Sequence, residues 1–158
     1  SLCVMRRSQR IYPLVVHGIA YTGAMVENSG DIHRLVDAAK GQMRDLLRLS
    51  KDTSEALQGW KAPADYHMTV CLGELPPRMK MRGDIGAEVD LHVTHFGATN
   101  EAAAFKVTGY MSKNDVQHIT MFYRVQPSDS KDIREWRELP EPFTVKAVIR
   151  EVPAERPQ

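Results

Sequence analysis

The chain has few cysteines, no excess of one charge and no long apolar run. Only two cysteines, Cys3 and Cys71, occur in 158 residues, which argues against a disulfide-stabilised secreted scaffold and predicts a reducing, intracellular compartment, either cytoplasmic or nuclear. Lys and Arg number 21 against 20 Asp and Glu, so no global field would hold long nucleic acid by counterion release. No apolar stretch approaches the roughly 20 residues of a membrane-spanning helix, and we predict no membrane contact.

The length and composition of the chain fit one globular domain. With 42% hydrophobic and 26% charged residues, the chain can build a single core, and we predict one domain over residues 1–158 with its core at 12–152. Apolar residues spaced by three and four predict one long helix at 31–49. A short helix is predicted from Ser128 or Ser130 to near Leu139. Strands are predicted at 12–26, with bulges at Gly18 and Gly23, and at 66–73, 87–96, 102–110, 117–125 and 143–152.

The triplet His-X-Thr occurs three times, beginning at His67, His92 and His118. Chance predicts roughly 0.3 such triplets for this composition. The first and the last share a context, because each follows a polar, turn-like approach and runs into an apolar strand pattern. We interpret these two as two copies of one functional motif, and the middle triplet as an incidental strand sequence.

In a strand, residues i and i+2 point to the same face, so an imidazole and a hydroxyl stand side by side. Two such strands present two imidazoles and two hydroxyls around one small volume. A neutral histidine can take a proton while a protonated one delivers another, and hydroxyls can donate to phosphate oxygens. The pattern therefore predicts phosphodiester cleavage by His67, Thr69, His118 and Thr120, with neither histidine assigned as acid or base. The scheme needs no metal and no other cofactor.

The two flanked motifs resemble the paired signatures of the two-histidine (2H) phosphoesterases. His67-Met68-Thr69 is preceded by an aromatic residue and runs on through Val70-Cys71-Leu72 to Gly73, after a loop that contains Trp60 and Pro63, and His118-Ile119-Thr120 supplies the second motif. The order of predicted elements over residues 12–152 is also similar to that family. The resemblance implies an α+β fold in which two small antiparallel sheets flank a V-shaped cleft, with the long and the short helix packed outside. No helical pattern is evident between 77 and 87, so we expect a compact member.

The resemblance also implies a function and a substrate class. It indicates a metal-independent hydrolase acting on an RNA terminal 2′,3′-cyclic phosphate, as in RNA processing or tRNA repair. The alternatives are a phosphodiesterase for 2′,5′-linked or cyclic oligonucleotides with the same histidines and threonines, and a non-catalytic nucleotide- or RNA-binding module. The expected partner is an RNA end or a small nucleotide, and the chain is compatible with being one domain of a larger RNA-repair protein.

Two other chemistries compete for the same residues. Zinc could be bound by His67, His92, His95 and His118, with Asp65 or Asp90 nearby, yet their spacing lacks the tight pattern of catalytic zinc sites. Cys71 falls on the same strand face as His67 and could act as a nucleophile, but it has no histidine partner of its own in the sequence. We favour the two-histidine mechanism over both.

Substrate-binding residues are predicted from their closeness to the two motifs. Bases of single-stranded or terminal nucleotides stack on aromatic rings, and basic side chains hold phosphates. The predicted substrate-binding set is Trp60, Lys61, Tyr66, Lys113, Phe122 and Arg124.

Overall fold

The computed structural model describes residues 18–47 and 57–154. Within these ranges six strands form one sheet: β1 (Ile19–Val26), β2 (Tyr66–Leu72), β3 (Glu88–Ala98), β4 (Ala102–Thr108), β5 (His118–Tyr123) and β6 (Arg137–Pro153). The sheet is antiparallel and closes on itself as a barrel, in the order β1-β2-β5-β4-β3-β6, with β6 paired back to β1. Closure leaves no open edge to the sheet as a whole.

The barrel interior is filled by alternate residues of the strands. Met68 and Val70 of β2 are fully buried, as are Ile119 and Met121 of β5. Because successive strand residues point to opposite faces, their neighbours lie on the outside of the wall. This alternation was readable in the sequence and correctly predicted most of the strands.

Helix α1 (Ser29–Leu47) follows β1 and contributes to the same core. Leu35, Ala39 and Met43 repeat every four residues and are buried, so they form one apolar stripe. The Asn28 side chain accepts a hydrogen bond from the backbone amide of Asp31 at 2.9 Å and so caps the first turn. The predicted helix at 31–49 is confirmed as far as residue 47.

The polar side of α1 lies along β6 before that strand meets β1. Asp31 accepts a hydrogen bond from the backbone amide of Lys146 at 2.9 Å, and Arg34 donates to the carbonyl oxygen of Thr144 at 2.9 Å. The guanidinium of Arg34 also lies 5.1 Å from the ring centroid of Phe143. The helix thereby satisfies backbone groups on the edge of β6 that faces away from β3.

The predicted fold class of two sheets flanking a V-shaped cleft is wrong. The reason is β6, which has 17 residues instead of the ten expected at 143–152. Its first part pairs with β3 and its last part with β1, so the strands expected in two sheets are joined into one wall.

The short helices also differ from the prediction. A 3-10 helix occupies Pro127–Asp132, and the chain is already in β6 at Arg137, so the predicted helix reaching Leu139 is too long. Helix α2 (Pro77–Met81) lies where no helical pattern was evident, and Pro77 at its start suits a first helical turn.

Some predictions fall outside the described residues, namely the first strand before residue 18, the end of the long helix at 48–49 and Cys3. The bulge predicted at Gly23 is confirmed, because the register of β1 against β2 shifts between Thr22 and Gly23. Within 18–47 and 57–154, no helix is both long enough and apolar enough to cross a membrane.

Candidate functional site

The two flanked His-X-Thr motifs lie on neighbouring strands of the barrel. Met68 of β2 is paired with Ile119 of β5 in antiparallel register, and both are fully buried inside the barrel. Alternation therefore puts the residues on either side of each on the outer surface. Continued by one residue in each direction, the register sets His67 opposite Thr120 and Thr69 opposite His118.

These four side chains line one cavity of about 670 Å³ on the outer face of the barrel. Its wall comes from β1, the loop before β2, β2 itself, the loop before β5, β5 itself and the 3-10 helix. The residues lining it are Ala20, Tyr21, Pro63, Ala64, Asp65, His67, Thr69, Cys71, Leu72, Lys113, Asn114, His118, Thr120, Pro127, Ser128, Ser130 and Lys131. The structure thus brings together both predicted motifs and, from the predicted substrate-binding set, Lys113.

His67 is oriented by a carboxylate and an aromatic ring. Its Nδ1 lies 2.7 Å from Oδ1 of Asp65, and its ring stacks on Tyr21 with centroids 4.8 Å apart. Because the carboxylate accepts the Nδ1 proton, Nε2 is the ring nitrogen left to exchange a proton. Gly23 permits this packing, since a Cβ there would lie 3.4 Å from the His67 ring and 3.2 Å from that of Tyr21. Burial, and then the charge of Asp65, raise the pKa of Tyr21.

His118 is far more enclosed than His67, with only 8% of its surface exposed. Its Nδ1 donates to the carbonyl oxygen of Val116 at 2.7 Å. A carbonyl only accepts, so the neutral ring carries its proton on Nδ1. Burial lowers the pKa of His118; the bond to Val116 opposes this, while the positive charges of Lys131 and His67 add to the lowering. The neutral ring is therefore the favoured form near pH 7.

The Nε2 of His118 lies 3.0 Å from the hydroxyl oxygen of Ser130, which is 2% exposed. The same hydroxyl oxygen is 2.7 Å from Oγ1 of Thr120 and 2.9 Å from the carbonyl oxygen of Pro127, to which it can donate. The 3-10 helix, which begins at Pro127 after a short turn from β5, brings Ser130 against the second motif. Ser130 thus links the histidine and the threonine of that motif.

Positive charge enters the cavity from two loops. The backbone amide of Lys113 donates to the carbonyl oxygen of Val70 at 2.8 Å, and the Ser112 hydroxyl donates to that of Thr69 at 2.7 Å. These bonds fasten the loop before β5 to the β2 strand beside the first motif. Lys131 approaches from the 3-10 helix on the other side. Two ammonium groups beside two imidazoles suit an anionic ligand.

Five of the six predicted substrate-binding residues are not among the residues that line the cavity. Phe122 is buried, and Tyr66 packs against the core. Trp60 has a ring face covered by the guanidinium of Arg124, 4.7 Å from its centroid. Lys61 pairs through its backbone with Tyr123 at the end of β5. The structure therefore gives no support to substrate contacts by these five.

The middle triplet is interrupted by a β-bulge. The register of β3 shifts between Val93 and His95, so the strict alternation that would align His92 with Thr94 is broken. His92 hydrogen-bonds Thr144 at 3.0 Å and does not line the cavity. This triplet therefore stands apart from the other two in the structure.

Among the described residues, neither a zinc-ligand cluster nor a hydrogen bond between Cys71 and a histidine is formed. In the part of the chain that is described, no group of three or more His, Cys, Asp and Glu side chains is arranged to hold a metal, and His92 lies outside the cavity of His67 and His118. Cys71 is a buried free thiol at the cavity wall, and its Sγ donates to the carbonyl oxygen of Glu74 at 3.4 Å.

Sequence reasoning missed several residues of the site. Asp65 was considered only as a metal ligand and Ser130 only as a helix cap, while Tyr21 and Lys131 were not singled out. The signal for Asp65 was its place two residues before the first histidine, at the foot of the strand. For Ser130 and Lys131 it was a short serine- and lysine-bearing loop directly after the second motif.

Comparisons with known proteins do not identify a family for this chain. No protein-family model matches this chain, and no curated protein matches it either.

Proposed function

We propose that this protein is a metal-independent phosphodiesterase that hydrolyses an RNA terminal 2′,3′-cyclic phosphate by paired histidine acid-base catalysis. The observation that carries the proposal is the convergence of His67, Thr69, His118 and Thr120 on one cavity. Two imidazoles in one cavity supply a proton acceptor and a proton donor for the same displacement at phosphorus. The surrounding hydroxyls and ammonium groups stabilise the negative charge on the non-bridging oxygens.

The environments of the two histidines favour different roles. His118 has a lowered pKa because it is buried, so it is neutral near pH 7 and serves as the base toward the attacking water. His67 donates Nδ1–H to Asp65, and in its protonated form it carries a second proton on Nε2 for the leaving oxygen. The carboxylate holds that ring while the proton is delivered. Opposite environments for two titratable groups are the usual basis of such a division.

The proposed position of the phosphate is between these groups. Thr69 lies on β2 next to His67, and Lys113 is fixed against the same strand by its backbone bond to Val70. Their hydroxyl and ammonium groups donate to the non-bridging oxygens, with Lys131 facing them from the 3-10 helix. Neutralising developing charge by fixed donors requires no rearrangement during the reaction.

The proposed setting is a reducing intracellular compartment, with an RNA end or a small nucleotide as the partner. The buried free thiol of Cys71 supports this setting. The balance of charges favours a small terminal group over long RNA, since a net charge of +1 gives no general attraction for a long phosphate backbone.

The test is turnover of defined diesters by the purified chain. Nucleoside 2′,3′-cyclic phosphates and a 2′,5′-linked dinucleotide are incubated with the protein, and the products are separated by chromatography. We expect hydrolysis of the cyclic phosphates. Preferential cleavage of the 2′,5′ linkage would move the substrate to the alternative class, and binding of both compounds without any product would show a non-catalytic nucleotide-binding module.

A further inference from the structure

The Ser130 hydroxyl occupies the centre of the second motif, and its oxygen has no free position. Three atoms lie within hydrogen-bond distance of it: Oγ1 of Thr120 at 2.7 Å, the carbonyl oxygen of Pro127 at 2.9 Å and Nε2 of His118 at 3.0 Å. Together with its own Cβ, these three neighbours surround the hydroxyl oxygen. Ser130 therefore has no room to attack phosphorus or to hold a phosphate oxygen.

Neither ring nitrogen of His118 is free to meet a substrate. Nδ1 is bonded to the carbonyl oxygen of Val116 and Nε2 to Ser130, and the residue is almost fully buried. His118 and Ser130 also line the cavity, but they are only 8% and 2% exposed, whereas Thr120 is half-buried. The hydrogen-bonded path from the cavity to His118 thus runs through Thr120 and then Ser130.

We propose that Thr120 and Ser130 form a two-hydroxyl proton relay that joins the cavity to Nε2 of His118. This inference rests on the proposed phosphodiesterase function and gives Thr120 a role other than that of an oxyanion donor. Thr120 is the catalytic residue of the relay, because it meets the attacking water. Ser130 is a positioning residue that acts through Thr120 and His118.

In the relay, each proton that one group loses is gained by the next group. The attacking water gives a proton to Oγ1 of Thr120, Thr120 gives its own to Oγ of Ser130, and Ser130 gives its own to Nε2 of His118. Three bonds to hydrogen break and three form, and both hydroxyls are restored. The remaining hydroxide forms the new bond to phosphorus, while the leaving oxygen departs with a proton from His67.

Ser130 also couples its hydrogen bonds to the charge on His118. When the ring is neutral, Nε2 and the Pro127 carbonyl compete for the single Ser130 proton. When the ring is protonated, Nε2–H donates to Ser130, and Ser130 is free to donate to Pro127, so one more hydrogen bond is made. Ser130 therefore stabilises the protonated ring that the relay produces.

Other charged groups face the same region and must stay constant in the tests of the relay. His118 shares a cavity wall with Asp65, His67, Lys113 and Lys131, and a second cavity on its other side adds Asp115 and Arg134. None of these is changed in the variants below.

The first test follows the ring of His118 by NMR titration and needs no turnover. In Ser130→Ala the protonated ring loses its acceptor, so its titration midpoint is expected to fall by about one pH unit, the equivalent of one charge-assisted hydrogen bond. Ser128→Ala is the matched control, because Ser128 lines the same cavity but is not bonded to His118; its midpoint should equal that of the wild type. An unchanged midpoint in Ser130→Ala would overturn the coupling.

The second test measures how many protons move in the rate-limiting step. A proton inventory in mixtures of H₂O and D₂O should be curved for the wild type, and Ser130→Ala should be slower by roughly 10²-fold, a typical loss when proton transfer is disrupted. Thr120→Val should be similarly slow, whereas Thr120→Ser, which keeps the hydroxyl, should retain most of the rate. Because valine has nearly the shape of threonine, this pair remains informative should Ser130→Ala fail to fold.

The outcomes separate the relay from the function beneath it. A wild-type protein that hydrolyses no diester would overturn the proposed function, whatever the titration of His118 shows. An active wild type with a linear inventory, and a folded Ser130→Ala variant at the wild-type rate, would overturn the relay and leave the phosphodiesterase assignment intact.

Discussion

Met68 lies directly opposite Ile119 across the pairing of β2 with β5, and both side chains are fully buried inside the barrel. This one pairing turns the histidine and threonine beside each of them to the outer surface. Two motifs that are distant in the sequence become diagonal partners on adjacent strands. The proposed chemistry therefore needs no cleft between two sheets.

The two histidines of the cavity should both be required for turnover. We expect His67→Ala and His118→Ala each to lower kcat/KM for a 2′,3′-cyclic nucleotide by roughly 10²–10⁴-fold, the usual cost of losing a general acid or base. His92→Ala is the matched control, since it alters the same kind of triplet outside the cavity. Steady-state kinetics, with circular dichroism to check folding, would contradict the assignment if either cavity variant kept the wild-type rate.

Asp65 should matter through the orientation of His67. In Asp65→Asn the partner of Nδ1 keeps its size but loses its charge, and an amide can present its NH₂ group instead of an acceptor. We expect kcat to fall by up to about 10²-fold, the cost that misplaced catalytic groups commonly carry, with little change in KM. The exposed Asp115→Asn, on the loop before β5, serves as control, and equal kinetics for the two variants would remove Asp65 from the site.

The pH dependence should show two limbs. As pH falls, His118 gains a proton and can no longer act as base; its lowered pKa places that limb below the ordinary histidine value of about 6.5. Because the proposed mechanism also needs a protonated group for the leaving oxygen, the rate should fall again at higher pH. The two rings interact, so the midpoints belong to the pair. A kcat/KM profile that stays flat between pH 6.5 and 4.5 would contradict the role of His118.

Chelation should leave the activity unchanged. The proposed proton transfers are assigned to imidazoles and hydroxyls, whereas a metal-dependent hydrolase uses its ion to generate the nucleophile. Prolonged dialysis against a strong chelator, followed by assay in metal-free buffer, is the measurement. Loss of turnover that is restored by zinc or manganese would replace the two-histidine mechanism with a metal-dependent one.

Gly109 should be essential for stability. Its φ is +134°, and a Cβ there would lie 2.0 Å from the backbone oxygen of Asp90. Gly109→Ala is expected to lower the free energy of unfolding by roughly 3 kcal/mol or more, since backbone strain and overpacking each cost about 1–3 kcal/mol. Gly83→Ala, with a φ of +85° but no atom near its Cβ, should cost only about 1–2 kcal/mol. Urea unfolding would show equal losses if the contact with Asp90 were unimportant.

Local patterns in the sequence predicted the strands, and they predicted that the histidine and the threonine of each motif lie on the same strand face. His67 and Thr69 share a face because alternation in a strand depends only on neighbouring residues. The same reasoning identified α1 from its repeating apolar stripe. What such patterns could not supply was the partner of each strand, and β6, which is longer than its alternating core, joined strands that were expected in separate sheets.

The supporting residues of the site escaped prediction for a related reason. Ser130 lies ten positions after Thr120, on a 3-10 helix whose placement depends on where the chain turns after β5. Trp60 shows the opposite error, because its stacking partner is Arg124 and closeness to a motif in sequence did not bring it to the cavity. Contacts made by loops depend on the assembled barrel and have no periodic signature.

The strand pairing between β2 and β5 is short, so we expect local unfolding to begin there. On its other edge β2 pairs with β1 along its whole length, whereas toward β5 the strand register consists of Met68 and Ile119, supplemented by the bonds of Ser112 and Lys113. Local opening costs least where few backbone bonds hold a seam. The two histidines and two threonines of the site lie on both sides of that seam. We therefore expect the proposed phosphodiesterase activity to be lost in mild denaturant or on warming, while most of the barrel is still closed.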